Sequence, residues 1–350
     1  MQTSVTHITP LTLIRRMRLL PSPGKVLVRA GQEVHGSDVV AETGSHSRHI
    51  VLDVRRALQL SADEDLKKVF DRKVGEKVQK GDLIAQKGGL FKRALVSPED
   101  GVILAVMGGQ VLIEAAVPPF QLLAGLDGRV AEVIADQGVV IETHGTLLQG
   151  VWGNNQMGSG LLINLAKTPA EELTSTSLDV SMRGAVILAG TCSQVSVLEM
   201  ARDVNLRGLV LGSISSHLIP LAEKLDFPVM VLEGFGNIPI STPAFRILST
   251  SEKRDVCLNA ASWNAYSGER PELVIPLPAQ GEITQDLVNL EPGRKVRLGL
   301  PPFTGKVGVV EQMLPGQTVL SNGLRVPAVK VRLEDGENQI VPNVNLDVLE

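Results

Sequence analysis

The chain has 350 residues, a net charge of −4 at pH 7 and 43% hydrophobic residues, enough apolar material for two or three cores. Only 3% of the residues are aromatic, which together with the negative charge argues against a dedicated nucleic-acid binder. Two cysteines, Cys192 and Cys257, provide neither a disulfide framework nor a four-cysteine zinc site, and they fit a reduced protein.

The N-terminal segment lacks the pattern of a secretory sequence. Arg15, Arg16 and Arg18 are followed by Pro21-Ser-Pro23-Gly24 instead of the apolar run of a signal peptide. No apolar stretch reaches the roughly 20 residues that cross a bilayer. We therefore expect a cytoplasmic protein without membrane insertion.

A short segment occurs twice. Gly31-Gln-Glu-Val-His-Gly-Ser-Asp-Val-Val-Ala41 and Gly75-Glu-Lys-Val-Gln-Lys-Gly-Asp-Leu-Ile-Ala85 share Gly, Val, Asp, an aliphatic pair and Ala at the same offsets. Ser22-Pro23-Gly24 is the expected companion turn of the first copy, and Ser97-Pro98-Glu-Asp-Gly101 that of the second. This twofold repeat predicts a small pseudo-symmetric β domain. Between the copies, Ser61 is expected to cap a helix.

The pattern Gly-x-x-Val-x-x-Gly-Asp-x-Ile-Ala, followed by Ser-Pro-x-x-Gly-x-Val, resembles the biotinyl/lipoyl-type barrel-sandwich hybrid. The form split by an insertion is similar to the front domain of membrane-associated electron-transport subunits and related adaptor proteins. The resemblance implies a fold for residues 1–117 and no activity. Swinging-arm domains carry a modified lysine in a Met-Lys or Asp-Lys-Ala context, which the loop Gln86–Arg93 lacks. Lys87 and Lys92 are therefore expected to be solvated loop lysines, with modification of either as the alternative.

Residues 118–180 form an additional Gly-rich β region, after which the pattern changes. Over 181–265, apolar runs of strand length alternate with segments of helical period. The predicted strands and helices are Gly184–Ala189, Val195–Val204, Leu206–Leu211, Leu218–Leu225 and Phe227–Leu232. Strands with few polar positions that alternate with helices indicate a parallel sheet covered on both faces. We therefore predict a small Rossmann-like α/β domain.

The C-terminal part returns to β structure. Residues 266–289 are rich in Pro and Gly near their start and are predicted to be a linker. Within 290–350, the segments starting at Pro292, Pro301 and Asn345 are similar to the KOW motif of an SH3-like barrel, found in transcription elongation factors and ribosomal proteins. No family resemblance covers the whole chain. The predicted fold class is an α+β multidomain protein with a barrel-sandwich hybrid, a Rossmann-like domain and a C-terminal SH3-like β barrel.

The strand ends of the α/β domain are the predicted ligand site. Ligands of open parallel sheets bind beyond the carboxyl ends of the strands, and helix N-termini there favour anions. The candidate residues are Thr191, Ser193, Gly212, Ser213, Ser215, Ser216, Glu233, Gly234 and Gly236. The alternative is that the hydroxyl residues only cap helices, each worth on the order of 1 kcal/mol. The dinucleotide signature Gly-x-Gly-x-x-Gly is absent from the first turn, and no cofactor is predicted.

Two other groups of residues carry alternative chemistry. Cys192, between a strand and a helix, with His217 on the next loop would form a nucleophile and base, although an isolated Cys in such a turn is usually only a small residue. His46 and His49 have a spacing that suits metal ligands on a helix, but without further ligands nearby they indicate an exposed loop and no metal is predicted.

These observations leave three functions open. The leading hypothesis is a non-catalytic adaptor or regulatory protein with docking β modules, protein partners and a small anionic ligand. The second is an RNA- or transcription-associated factor in which Arg294, Arg297 and Lys306 contact phosphates. The third is an enzyme, or an accessory subunit of a redox or carrier-dependent enzyme, built around Cys192 and His217.

Overall fold

The computed structural model describes residues 2–44, 46–61, 64, 69–70, 72–88, 93–117, 119–264 and 268–350. The protein is mostly β, with 47% of its residues in strands and 12% in helices. The predicted helix after Ser61 falls largely outside the described residues, as does Lys92. The helix observed between the two copies begins earlier, after Asp53, whose carboxylate accepts a hydrogen bond from the Arg56 N–H group.

The first strands in chain order are β1 (Gln2–Thr6), β2 (Ile8–Leu19), β3 (Gly24–Val26), β4 (Glu33–Val34), β5 (Val39–Thr43), β6 (His46–Asp53), β7 (Lys77–Val78), β8 (Leu83–Lys87), β9 (Arg93–Val96), β10 (Gly101–Met107), β11 (Gln110–Val117), β12 (Gln121–Leu123), β13 (Gly128–Ile134) and β14 (Gly138–Gln149). The later strands are β15 (Trp152–Gly153), β16 (Met157–Asn164), β17 (Val186–Cys192), β18 (Gly208–Ile214), β19 (Val229–Phe235), β20 (Asp255–Asn259), β21 (Glu272–Pro276), β22 (Leu287–Asn289), β23 (Lys295–Leu298), β24 (Val307–Met313), β25 (Thr318–Val319), β26 (Arg325–Val326), β27 (Ala328–Leu333), β28 (Asn338–Pro342) and β29 (Leu346–Leu349). The helices are α1 (Val54–Leu58), α2 (Val195–Val204), α3 (Ile219–Ala222) and α4 (Thr242–Thr250), and short 3-10 turns lie at Ser175–Ser177, Val180–Met182, Ser216–Leu218 and Asn343–Asn345.

The repeated segments form matching turns. His35 N–H donates to Asp38 Oδ2 at 2.8 Å in the first copy, and Gln79 N–H donates to Asp82 Oδ2 at 3.0 Å in the second. Each copy also pairs with its own hairpin, β13–β14 for the first and β10–β11 for the second. The repeated unit is therefore longer than the similarity in sequence suggests.

The companion turn of the first copy differs from the one expected. Gly36 N–H donates to Asp127 Oδ1 at 2.6 Å, just as Lys80 N–H donates to Asp100 Oδ1 at 2.7 Å. The turn before β13 is thus the counterpart of the turn before β10, whereas Gly24 pairs with Thr43 in β3 and β5. In the sequence, the second copy and its hairpin β10–β11 lie between β4 and β13, the two halves of the first unit. The pairing of β4 with β13 therefore crosses the domain boundary expected at residue 117.

An eleven-stranded sheet forms the centre of the molecule, in the order β15-β19-β18-β17-β16-β20-β21-β14-β13-β4 with β2 also paired to β14. Strands β16 to β19 are parallel to one another. Alternate residues of β17 enter two different cores, with Ile187 packed in the cluster that includes α2 and α3, and Leu188 packed in the cluster that includes α4. The helices therefore cover both faces of the parallel strands.

The C-terminal strands form a sheet that also includes the N-terminal strand β1. Its order is β22-β1-β29-β23-β24-β27-β28, and Val5 of β1 pairs in parallel with Val348 of β29. The expected barrel is not observed, because the edge strands β22 and β28 do not pair and no closed barrel forms in the described part of the chain.

The segment 266–289, expected to be a linker, contains two strands. In β21, Leu273, Val274 and Ile275 are buried, and the strand lies between β14 and β20 in the central sheet. Strand β22 pairs with β1. The prolines that flank β21 gave the segment a linker-like composition, while its apolar triplet supplies the buried surface that holds it in the sheet.

Candidate functional site

The carboxyl ends of β17 and β18 are covered by neighbouring chain segments. Thr191 is buried, and its N–H group donates to Glu171 O at 3.0 Å. Ser193 Oγ donates to a carboxylate oxygen of Glu172. Ser213 is fully buried, where its Oγ donates to Gly236 O at 3.1 Å and accepts from Ile238 N–H at 2.9 Å. These three residues are thus close to the predicted edge but already make hydrogen bonds within the chain.

The remaining residues of the predicted ligand set divide by exposure. Ser216 is exposed, Ser215 is half-buried and Gly212 is buried. Gly212 packs against backbone, because a Cβ atom there would lie 2.6 Å from Gly190 O. Gly234 and Gly236 have φ of +148° and +104°, conformations that favour glycine. Gly234 lies near the end of β19 and Gly236 directly after it, so both shape the transition from the strand to the loop.

The carboxylate of Glu233 is already engaged by an ion pair with Arg297 and a hydrogen bond. Its Oε2 lies 2.7 Å from Arg297 Nη1, and its Oε1 accepts a hydrogen bond from Ser241 N–H at 2.8 Å. Arg297 Nη2 also binds Asp347 Oδ2 at 3.0 Å. Burial disfavours the charged guanidinium, but Glu233 and Asp347 outweigh this effect, so that the pKa of Arg297 lies above its ordinary value. A buried arginine satisfied by two carboxylates is not placed to contact nucleic-acid phosphate, contrary to the prediction for this residue.

The other two predicted phosphate contacts are also paired with carboxylates. Arg294 lies 3.3 Å from Glu350 Oε1 and 3.4 Å from Glu291 Oε1. Lys306 Nζ lies 2.8 Å from Asp335 Oδ2, and this bond raises the pKa of Lys306. Both cations are partly exposed, and the paired carboxylates compensate much of their charge.

Cys192 differs from a nucleophilic cysteine. The side chain is fully buried, and burial raises the pKa of its thiol to about 11. Sγ donates weakly to Gln194 O at 4.0 Å, and within the described residues it makes no hydrogen bond to His217, which is exposed. A catalytic thiol needs a lowered pKa and an adjacent base, so this geometry provides neither requirement.

The candidate metal and modification residues lie elsewhere. His46 and His49 belong to strand β6 rather than to a helix, and across the described ranges no group of three or more His, Cys, Asp or Glu side chains is placed to hold a metal ion. Lys87 Nζ lies 2.6 Å from Glu64 Oε1 and is about two-thirds buried in that ion pair, with a side-chain exposure of 34%.

A pocket of about 310 Å³ opens between the N-terminus of α4 and the C-terminal sheet. Its lining residues are Pro239, Ile240, Ser241, Thr242, Thr304, Gly305, Lys306, Val307, Leu333, Glu334 and Asp335. Ser241 precedes α4 and is only 5% exposed, yet its Oγ has no hydrogen-bond partner among the described residues and makes no capping bond. A buried hydroxyl without a partner is uncommon in proteins and costs free energy.

The two sides of this pocket are held together closely. Gly305 has φ of +83°, and a Cβ atom there would lie 2.6 Å from Ile238 Cγ2. Glycine therefore allows the C-terminal sheet to approach the loop after β19. Sequence reasoning missed Ser241, although the Ser-Thr-Pro pattern at residues 241–243 is a helix-start signal.

Comparison with known proteins does not assign the chain to a family. No family model matches the chain, and no curated protein matches it in sequence. None of the helices in the described residues is long and apolar enough to cross a membrane.

Proposed function

We propose that this protein is a non-catalytic adaptor or regulatory protein that binds a small oxyanion where its parallel strands meet the C-terminal sheet. The β modules provide docking surfaces for protein partners. The proposal includes three modules: a split barrel-sandwich hybrid built on the nested repeat, a Rossmann-like unit around β17 to β19, and a C-terminal β module with KOW-like segments in an open sheet. The parallel pairing with helices on both faces supports the second of these assignments.

The unpartnered hydroxyl of Ser241 carries the proposal. The first N–H groups of a helix have no intrahelical acceptor, and the partial positive charge of this end favours anions. In α4 the first turn contains no acidic residue, and Ser241 Oγ does not satisfy these donors. An oxyanion in the pocket would accept hydrogen bonds from the helix N–H groups and from the Ser241 hydroxyl.

The wall formed by the C-terminal sheet contributes one cation, Lys306, and two carboxylates, which limit the negative charge of a bound ligand. Lys306 is held by Asp335 at 2.8 Å, and Glu334 also lines the pocket. An anion of one or two charges that binds here would compete with Asp335 for the Lys306 ammonium group. Since the pocket lies between the start of α4 and the C-terminal sheet, its occupation would also stabilise the contact between them.

Inorganic phosphate and sulfate are the probes for this site. Thermal unfolding of the full chain is followed as either anion is raised at constant ionic strength, and we expect Tm to rise by mass action. Ser241→Ala should leave Tm almost unchanged without anion, because the hydroxyl makes no bond, and should abolish the anion-dependent rise. Ser249→Ala, which removes another hydroxyl from α4, is the matched control and should retain it. An anion-dependent rise of equal size in Ser241→Ala, or none in the unmodified chain, would contradict the proposal.

A further inference from the structure

Arg18 is a buried cation in strand β2. Strand residues two apart share a face, so Ile14, Arg16 and Arg18 point the same way, and Ile14 is 1% exposed. Arg16 is satisfied by Glu272, whose Oε2 lies 2.7 Å from Nη2. Arg18 is 8% exposed, and none of the described carboxylates forms a salt bridge with it. The two arginines therefore share a face, but only Arg16 forms a salt bridge with a described carboxylate.

The hydrogen bonds of Arg18 are incomplete. Nε donates to Ala124 O at 3.0 Å, whereas the buried Nη2 has no hydrogen-bond partner in the described structure. Burial lowers the pKa of Arg18, and the nearby carboxylates Glu272 and Glu269 raise it by less. A buried charge costs several kcal/mol unless a counter-charge or hydrogen bonds compensate it. An anion in contact with Nη2 would compensate this cost.

Arg18 lines a pocket of about 560 Å³ at the end of strand β20. The polar residues around it are Asn155, Asn259, Ser262, Asn264 and Glu269, together with the indole of Trp263. Asn155 Oδ1 accepts from Ser262 N–H at 2.8 Å, which fixes the rim. Trp263 is 54% exposed, and its ring makes a cation–π contact with Arg270, whose guanidinium carbon lies 5.4 Å from the ring centroid.

We propose that this pocket binds a small organic monocarboxylate with further hydrogen-bonding groups, its carboxylate on the guanidinium of Arg18. A guanidinium matches the planar carboxylate in geometry and charge. The single cation of the wall and the carboxylate of Glu269 disfavour a second negative charge on the ligand. The asparagine amides offer both donors and acceptors, so a hydroxyl or amino substituent on the acid has partners. This site lies apart from the pocket at Ser241 and does not depend on it.

The test uses the full chain with Trp152→Phe, so that Trp263 is the only tryptophan. Lactate and serine are the substituted acids, acetate is the simple acid, and inorganic phosphate is the dianion, all at constant ionic strength. We expect lactate or serine to change the Trp263 fluorescence and to raise Tm, with acetate weaker. Arg18→Met should weaken the apparent affinity roughly 10- to 100-fold, the range for loss of a hydrogen bond to a charged group. Arg15→Met, on the same strand at an exposed position, should leave it unchanged.

Stability without ligand separates a binding role from a structural one. Because Arg18 buries an unpaired charge, Arg18→Met should fold with an unchanged or raised Tm. A fall in Tm larger than loss of the single Ala124 O bond explains would show that a counter-charge within the chain compensates Arg18, and would overturn the inference. A fluorescence response to phosphate but to no carboxylate, no response to any probe, or an equal response in Arg18→Met would overturn it as well. The phosphate-dependent Tm rise assigned to Ser241 should persist in Arg18→Met, so the two sites fail or succeed independently.

Discussion

Arg297 Nη1 lies 2.7 Å from Glu233 Oε2, and this buried ion pair joins the C-terminal sheet to the end of strand β19. The side chains are 3% and 0% exposed. Arg297 also donates to Leu232 O at 3.0 Å, while Glu233 accepts from the Ser241 N–H group that precedes α4. The pair therefore fixes the position of the pocket at Ser241 as well as the contact between the two sheets.

Arg297→Met should be strongly destabilising. It leaves Glu233 buried without its counter-charge, and loss of one partner of a buried ion pair costs about 3–5 kcal/mol. The combined change Arg297→Met with Glu233→Leu should recover much of this loss, because the carboxylate that remains, Asp347, has a 40% exposed side chain and is partly solvated. Urea unfolding of the unmodified protein and of these two variants measures both effects.

Arg332→Met is the matched control for the charge itself. Arg332 belongs to the same sheet, is 60% exposed and lies 3.6 Å from Glu311. Exposed pairs contribute about 0–1 kcal/mol, so the control should unfold close to the unmodified protein. Equal losses of unfolding free energy in Arg297→Met and Arg332→Met would show that the buried Arg297 pair stabilises the fold no more than an exposed pair does.

The repeated turns depend on backbone conformation at their glycines. Gly75 has φ of +87°, and no atom lies within 4 Å of the position its Cβ would take. Gly75→Ala should therefore destabilise by about 1 kcal/mol through backbone strain alone. Gly44 is equally open but lacks a positive φ, so Gly44→Ala should have little effect. Equilibrium unfolding compares the two, and a loss in Gly44→Ala as large as in Gly75→Ala would exclude strain as the cause.

Cys192 should behave as an inert thiol with a pH-dependent effect on stability. Burial raises its pKa from 9.0 to about 11, so the folded chain holds the thiol proton more tightly than the unfolded chain. The associated stability is complete below pH 9 and is lost as the pH rises through about 11. Iodoacetamide labelling at neutral pH, read by mass spectrometry, should modify Cys192 only after denaturation. Rapid labelling of the folded protein would restore the nucleophile hypothesis.

Asn154 should be important for the packing of the parallel strands. Its Nδ2 donates to Ala222 O at 3.0 Å and to Phe227 O at 2.9 Å, and its Oδ1 accepts from Val229 N–H at 2.9 Å. Asn154→Ala leaves the buried Phe227 O and Val229 N–H groups without this partner, while Ala222 O keeps its bond from Leu225 N–H at 3.3 Å. We therefore expect a loss of roughly 3 kcal/mol or more. Thermal unfolding provides the measurement. Asn322→Ala, at an exposed turn, is the control and should stay within about 0.5 kcal/mol.

Local patterns predicted much of the structure. The alternation of apolar runs with helical segments predicted strands that overlap β17, β18 and β19, and the helix α2 at its observed bounds. The repeat of Gly31–Ala41 in Gly75–Ala85 predicted two matching turns, which the Asp38 and Asp82 hydrogen bonds confirm. Both signals depend on neighbouring residues alone, which is why they can be detected without the fold.

The candidate sites depended on contacts between distant parts of the chain. From the sequence, Arg297 resembled a surface cation. Its partner Glu233 lies 64 positions earlier, and no local pattern indicates that the two residues meet. Arg18 stood in a basic segment with Arg15 and Arg16, and only its place in β2, opposite the end of β20, makes it a buried pocket residue. The alternation Ile14, Arg16, Arg18 was the one signal that could have indicated its inward direction.

The sequence by itself determined the short strands, the turns with their required glycines and the alternating unit of strands and helices, since these follow from local propensity and apolar periodicity. Tertiary structure decided that the second repeat is inserted into the first, that β1 joins β29 at the other end of the chain, and that 266–289 enters two sheets. The physical reason is that strand partners are chosen by the burial of complementary apolar faces across the whole molecule. The same long-range packing left Ser241 Oγ and Arg18 Nη2 buried without partners, and these two atoms define the sites proposed for this protein.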